Sequence, residues 1–348
     1  MKKILVFAVA LVLVVGLIGC TGGTSAPPAD DQGSATTGTE APATTDTGGG
    51  FKVAYVARTL SDAFAAWLAT EMETAAAAYS DTFTLEVLDS QGDSEKQNTI
   101  IETAITQKYD CIIIQPNDGE SQRPYAEKVV AAGIFCITTN ALIPDVEGAS
   151  SVDANPYNQG AVLAEAALKD VPQNGKVVIL NCLPGNLHTT SRYQAFQDIF
   201  VAGRPDAEII ADHIFNEVDS AGAMAFIEDV VQSKGKFDCA LTTADVLALA
   251  ALEAVKDNPD FNDMLAYGVD GLSGALLSIR DGGQTGTCLQ NAKELAEKNM
   301  KAAYQLLTGE KDIVEDSIGE VYIYKGNIDE WIQNYLEYGL LTEAEVNA

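Results

Sequence analysis

The sequence predicts an α/β protein made of two doubly wound parallel-sheet domains. Three observations predict it. Short β-branched runs alternate with amphipathic stretches from residue 51 onward, and the alternation starts afresh near Lys176. In addition, "YDCIII" at 109–114 and "FDCALT" at 237–242 occupy the same place in each half. Continuous apolar strands that alternate with helices belong to parallel sheets covered on both faces. Residues 51–348 are long enough for two ordinary domains.

The stretch before residue 51 reads differently. Met1-Lys2-Lys3 is basic, Ile4 to Ile18 is apolar, and Leu17-Ile18-Gly19-Cys20 follows. This is the layout of a signal peptide over 1–19, and its end resembles a bacterial lipobox. That resemblance implies cleavage before Cys20, lipid on Cys20, and a membrane anchor. Residues 20–50 are rich in Thr, Gly, Ala and Pro with almost no large apolar side chains, so they read as a disordered tether.

In the first half the strand runs are "KVAYVA", "TLEVLDS", "CIIIQP", "FCITTN" and "SSVDA". The first leads into Arg58-Thr59-Leu60-Ser61-Asp62, where Asp62 is placed to cap the next helix. Asp93-Ser94 and Asn155 before Pro156 are further helix starts, and Gly133 closes a helix with a left-handed turn. In the second half the runs are "KVVILNC", "EIIADHIF", "CALTTA", "LAYGVD" and "GTCLQN", with a cap at Asp219-Ser220 and a helix end at Gly235. Cys111, Cys136, Cys182, Cys239 and Cys288 lie in or beside these runs, where reduced cysteine acts as a small core hydrophobe. No disulfide framework is expected. Without a C-x-x-C or paired histidines, no metal site is expected either.

The formal charge is −29. A field of that sign repels nucleic acid and anionic lipid, so no nucleic-acid partner is expected. No G-x-S-x-G elbow, Walker loop, G-x-G-x-x-G fingerprint or H-E-x-x-H helix occurs, and His188 and His213 are the only histidines. The chain therefore does not read as an enzyme, and no cofactor is expected. In open sheets, ligands bind off the carboxyl ends of the strands. Asp62, Phe64, Asn140, the Pro184–His188 loop, Phe215, Asp270 and Gln290 all follow such ends, in both halves, which points to one shared cleft.

The segments "LDSQGDSEKQNTII" at 88–101, "PNDGESQRPYAEKVVAAGIFCITTN" at 116–140, and "TTADVLALAALEAV" followed by "YGVDGLSGALLSI" resemble the type I periplasmic sugar-binding proteins. The galactose/glucose and ribose binders are the most similar. The resemblance implies two Rossmann-like domains joined by three hinge crossings. It divides the chain into 51–153 with about 291–318, 154–290 with about 319–335, and a tail over about 336–348. It implies capture of a neutral hexose or pentose, delivery to the permease of an ATP-binding cassette importer, a monomeric body, and exposure on the outer side of the cell membrane. A ligand-presenting receptor in signalling or chemotaxis, for a sugar or for an autoinducer- or nucleoside-like furanose, is the alternative it leaves open.

The resemblance also implies contacts. Asp62 and Phe64 match the first-loop polar contact and the aromatic that covers a sugar face. Asn140 matches a galactose-type asparagine, Phe215 a second stacking aromatic, Asp270 the second-domain carboxylate, and Gln290 an amide at the last hinge. Asn186 and His188 stand where galactose binders place His and Asp, and either Arg192 or Thr190 fills the place of the sugar-gripping arginine. Ala244 departs from the family's asparagine, and the loop before Lys176 lacks the calcium site of some galactose binders. The chemistry agrees, because carboxylates accept from two hydroxyls at once and aromatic planes cover C–H faces.

Overall fold

The computed structural model describes residues 50–348. The signal segment, Cys20 and nearly all of the tether lie outside the described residues. All ten expected runs form strands. The first half holds β1 (Phe51–Ala57), α1 (Ala63–Ala76), β2 (Phe83–Asp89), α2 (Ser94–Thr106), β3 (Cys111–Ile114), α3 (Gly119–Ala131), β4 (Phe135–Asn140) and β5 (Ser150–Asp153). The second half holds α4 (Pro156–Asp170), β6 (Lys176–Cys182), α5 (Leu187–Ala195), β7 (Glu208–Phe215), α6 (Ser220–Lys234), β8 (Cys239–Thr242), α7 (Asp245–Val255), β9 (Leu265–Asp270), α8 (Ser273–Asp281) and β10 (Gly286–Leu289). After these come α9 (Ala292–Leu307), β11 (Glu315–Ser317), β12 (Val321–Tyr324), α10 (Ile328–Glu337) and α11 (Glu343–Val346).

The strands form two six-stranded sheets. One runs β2-β1-β3-β4-β5-β11 with every pair parallel. The other runs β7-β6-β8-β9-β10-β12, where β12 is antiparallel to β10 and the remaining pairs are parallel. The chain passes between the sheets after β5, after β10, and between β11 and β12. The sequence reading missed β11 because its three residues are exposed and carry no apolar signal. Its place is set by the backbone, through Ser151 N–H on the Val314 carbonyl and Ile318 N–H on that of Asp153.

Each sheet is covered on both faces, which is why successive residues Val53 to Ala57 of β1 are all wholly buried rather than alternating. In the first lobe, Leu68 and Met72 of α1 pack with Leu295, Met300 and Leu306 of α9 on one face. Ile101 of α2 and Val129 of α3 cover the other. In the second lobe, α6 and α7 bring Ile227 and Leu247 to one face. The opposite face receives Leu163 of α4 and Phe196, which follows directly on α5. The five cysteines among the described residues are free and buried, on β3, β4, β6, β8 and β10.

The stretch expected to be a tail from about residue 336 is packed. Leu341, only 3 % exposed, joins Leu276, Ile332 and Tyr335 in an apolar cluster, and Ser273 Oγ donates to the Leu340 carbonyl at 2.8 Å. The leucines at 336, 340 and 341 supply the apolar surface that holds it there. Among the described residues, no helix is long and apolar enough to cross a membrane.

Candidate ligand-binding site

Each sheet reverses its strand order at the first strand of its lobe, β1 between β2 and β3, and β6 between β7 and β8. Loops on the two sides of such a strand diverge, which leaves a crevice at the carboxyl ends. In this chain the two crevices share one cavity, which Arg58, Asp62 and Phe64 line from the first lobe.

Asp62 uses its two oxygens differently. Oδ1 accepts the Ala65 N–H at 2.8 Å and caps α1, while Oδ2 pairs with the Arg58 guanidinium. The corner carboxylate is thus both cap and cavity wall. Arg58 is fixed in turn, its N–H donating to Gln115 Oε1 at 3.2 Å; Tyr55 Oη donates to the same oxygen at 3.0 Å. Sequence reasoning left Arg58 out of the site, although its position just beyond β1 was the available signal. Phe64 packs edge-on to Trp67 within the α1–α9 core and still reaches the cavity.

The second lobe presents α5. Its first turn is capped by Asn186, whose Oδ1 accepts from the N–H groups of His188 at 3.1 Å and Thr189 at 3.3 Å. His188 is 4 % exposed, and neither ring nitrogen has a hydrogen-bond partner. Burial, aided by Arg58 and Arg192, holds its pKa well below the ordinary value, so the imidazole is neutral. One turn on, Arg192 donates from Nε and Nη2 to Gln159 Oε1 at 3.1 and 2.9 Å. Its Nη1 donates to the Thr243 carbonyl at 3.0 Å and to Asp270 Oδ1 at 3.4 Å. Thr190 is exposed, so Arg192 is the one that faces the cavity. This depth of insertion depends on Gly160 of α4, where a Cβ would stand 2.5 Å from the Arg192 carbonyl oxygen.

Asp270 ends β9 with φ +130°, a region non-glycine residues avoid. Gln290 Nε2 donates to Asp270 Oδ1 at 3.1 Å, which leaves Gln290 Oε1 without a partner. Burial pushes the Asp270 carboxyl up to about 7; Arg192 opposes the shift, and Asp245 and Asp62 add to it. Asp245 braces this corner from below. It accepts the N–H groups of Gly271 and Leu272 at 2.8 and 3.0 Å, Thr287 Oγ1 at 3.0 Å and Gln284 Nε2 at 2.7 Å. Burial raises its pKa to about 6 despite these bonds.

The structure therefore brings Asp62, Phe64, Asn186, His188, Arg192, Asp270 and Gln290 to one cavity. Asn140 and Phe215 are not among the residues that line it. Asn140 is buried in a left-handed turn with φ +70°, its carbonyl held by the Ala154 N–H. Phe215 ends an edge strand and turns into the second lobe's core, edge-on to Phe226 at 5.8 Å. The remaining apolar lining carries no further aromatic ring and comes from Ala63, Cys182, Leu183, Val218, Ala244 and Val246. This cavity is narrow, about 30 Å³, so a ring-sized guest enters it only if its walls move apart. No group of three or more His, Cys, Asp or Glu side chains is placed to hold a metal among the described residues.

Comparison with known proteins agrees with this architecture. The ribose import binding protein of Bacillus subtilis is 26% identical over 226 residues, 65% of this chain and 72% of that protein. The xylitol-binding protein of Mycolicibacterium smegmatis is 24% identical over 247 residues, 70% of each. Among solved structures, a transporter solute-binding protein from Bacillus halodurans with bound myo-inositol superposes with a TM-score of 0.76 at 24% identity, covering 84% of this chain and 100% of that one. The Caulobacter myo-inositol-binding protein gives 0.74 at 24%, covering 83% and 98%. The model of the periplasmic binding protein domain matches residues 53–311, which is most of the two lobes, and the chain belongs to that family.

Proposed function

We propose that the protein captures a small neutral monosaccharide between its lobes and hands it to an ATP-binding cassette importer. The observation that carries this reading is the set of buried polar groups that both lobes turn toward one cavity. Two arginines lie there, each beside a carboxylate, Arg58 with Asp62 and Arg192 with Asp270. Paired charges suit a guest without net charge, and carboxylates already held by arginines remain acceptors for hydroxyls. His188 and Gln290 add buried atoms that lack partners, and Phe64 offers an apolar face. The similarity to the ribose, xylitol and inositol binders supports a small, neutral guest rich in hydroxyls.

In this reading the first lobe comprises 51–153 with 291–318. The second comprises 154–290 with 319–335, completed by the packed segment 336–348. The signal layout supports lipid attachment at Cys20 and a body held by its tether outside the cell membrane. The protein binds its guest and releases it unchanged.

A thermal-shift screen of neutral pentoses, hexoses, polyols and cyclitols tests this directly. One or two compounds are expected to stabilise the fold, by about 2.7 kcal/mol at a hundredfold excess over Kd. Stabilisation confined to phosphates, peptides or metal ions would overturn the proposal. Calorimetry on Asp62→Ser refines it, since serine keeps a cap but leaves Arg58 without its carboxylate. Affinity is expected to fall by about ten- to a hundredfold, the cost of losing a charged hydrogen-bond partner. Unchanged affinity would return Asp62 to a purely structural role.

A further inference from the structure

Two loops from opposite lobes meet beside the cavity. Asn117 follows β3 in the first lobe, and Asn186 follows β6 in the second. Asn186 Nδ2 donates to the Asn117 carbonyl at 3.0 Å, and the Leu187 N–H points to the same oxygen at 3.4 Å. The acceptor is held in place by its own lobe. Asn117 N–H donates to Gln97 Oε1 at 3.0 Å, and its Nδ2 donates to the Gly92 carbonyl and Ser94 Oγ at 3.0 and 2.9 Å. The approach is close because residue 119 is glycine, where a Cβ would stand 3.1 Å from a Leu187 methyl.

The other half of the same amide is also occupied. Asn186 Oδ1 accepts the N–H groups of His188 and Thr189, the first turn of the helix that carries His188 and Arg192 into the cavity. An asparagine amide offers two N–H donors on one end and one oxygen on the other. Both ends are committed to protein here. We infer that Asn186 is a positioning residue and not a ligand contact. Its nitrogen latches the second lobe to the first, and its oxygen sets the helix that presents His188 and Arg192. Closing the lobes and aligning two ligand-facing side chains then become one event.

The inference rests on the ligand-capture reading for its purpose, but the latch can be tested without any ligand. A net intramolecular hydrogen bond of this kind shifts an equilibrium between joined and parted lobes by about two- to tenfold. Asn186→Asp keeps oxygens for the cap, removes the N–H donor and sets a carboxylate against the Asn117 carbonyl. Leu187→Pro removes the second donor. Proline suits the first residue of a helix, and the extended backbone of Asn186, φ −65° and ψ 131°, suits the position before it.

Nitroxide labels on Glu120→Cys and Glu217→Cys, both exposed and one on each lobe, report the separation by pulsed electron resonance, with the five native thiols of residues 50–348 buried. In the ligand-free full chain carrying Cys20→Ser, so that only the two introduced thiols react, Asn186→Asp and Leu187→Pro are each expected to move the distance distribution outward, with little change in melting temperature. Asn186→Ala, which also loses the cap, is expected to melt earlier as well. D-Ribose and myo-inositol serve as guests; whichever binds is expected to dissociate about two- to tenfold faster from Asn186→Asp. If Asn186→Asp and Leu187→Pro fold and keep the wild-type distance distribution, Asn186 is a cap alone and the latch is refuted. If neither sugar binds, the ligand class is in question while the distance measurement still judges the latch.

Discussion

Burial acts in opposite directions on Asp270 and His188, and the two shifts give the fold a testable dependence on pH. Folded Asp270 holds its proton to about 7, whereas an unfolded aspartate releases it near 3.9. Its contribution to stability is therefore fully present below about pH 4 and is lost as the pH rises through about 7. His188, kept well below its ordinary value, contributes above about pH 6.5 and loses that contribution on acidification. Asp270→Asn is expected to gain melting temperature relative to wild type as the pH goes from 4 to 7. His188→Gln is expected to gain relative to wild type as the pH falls below 6.5. Calorimetric scans at several pH values check both, and parallel curves for either variant would show that its group does not titrate as the geometry requires. The carboxylates and the amide at strand ends were legible in the sequence, because strand ends can be read from composition. Asp245 was not, since its partners Gly271, Gln284 and Thr287 come from segments that only the fold brings together. Phe215 misled for a related reason. Standing at a strand end does not decide which way a side chain turns, and on this edge strand it turns toward Phe226.

The α4–α5 pair shows packing overruling local preference. In an exposed helix, Gly→Ala gains about 0.5–1 kcal/mol. At Gly160 the added carbon would lie 2.5 Å from the Arg192 carbonyl oxygen and 2.8 Å from its Cα. Both are backbone atoms, so α5 itself must move, at a cost of about 1–3 kcal/mol. Gly160→Ala is therefore expected to destabilise the protein in urea and to weaken ligand binding, because α5 carries Arg192 away from Asp270 and Gln159. A more stable variant with unchanged affinity would contradict this account. Helices announced themselves in sequence through their caps, and Asp93, Asn155 and Asp219 all accept backbone N–H groups as expected. The C-terminal segment did not, because its few leucines form no face until α8 and α10 are there to receive them.

The three passages between the sheets make neither lobe a continuous stretch of chain. The first lobe's largest core needs Leu295, Met300 and Leu306 of α9, and the outer strand of its sheet is β11. Burying each such side chain stabilises by about 1.5–3 kcal/mol, and a whole domain has only about 5–15 kcal/mol of net stability. A fragment that ends at residue 290 lacks α9 and β11 and is expected to leave the first lobe unfolded, with the amides of β1 and β3 exchanging freely. Protected amides in β1 and β3 of that fragment would refute the dependence on α9. The alternation of strands and helices displayed two domains in the sequence, but the return of 291–318 to the first lobe carried no composition signal and entered only through family resemblance.

That return decides when the molecule can take shape during its own synthesis. A ribosome delivers β1 first and α9 almost last, so the opening lobe has no complete core until the residues up to about 317 have emerged. Until then the first lobe is expected to remain incompletely folded. A polypeptide in that condition can pass end-first through a narrow conduit and fold on the far side, where its last segments arrive to seal the lobe that was made first.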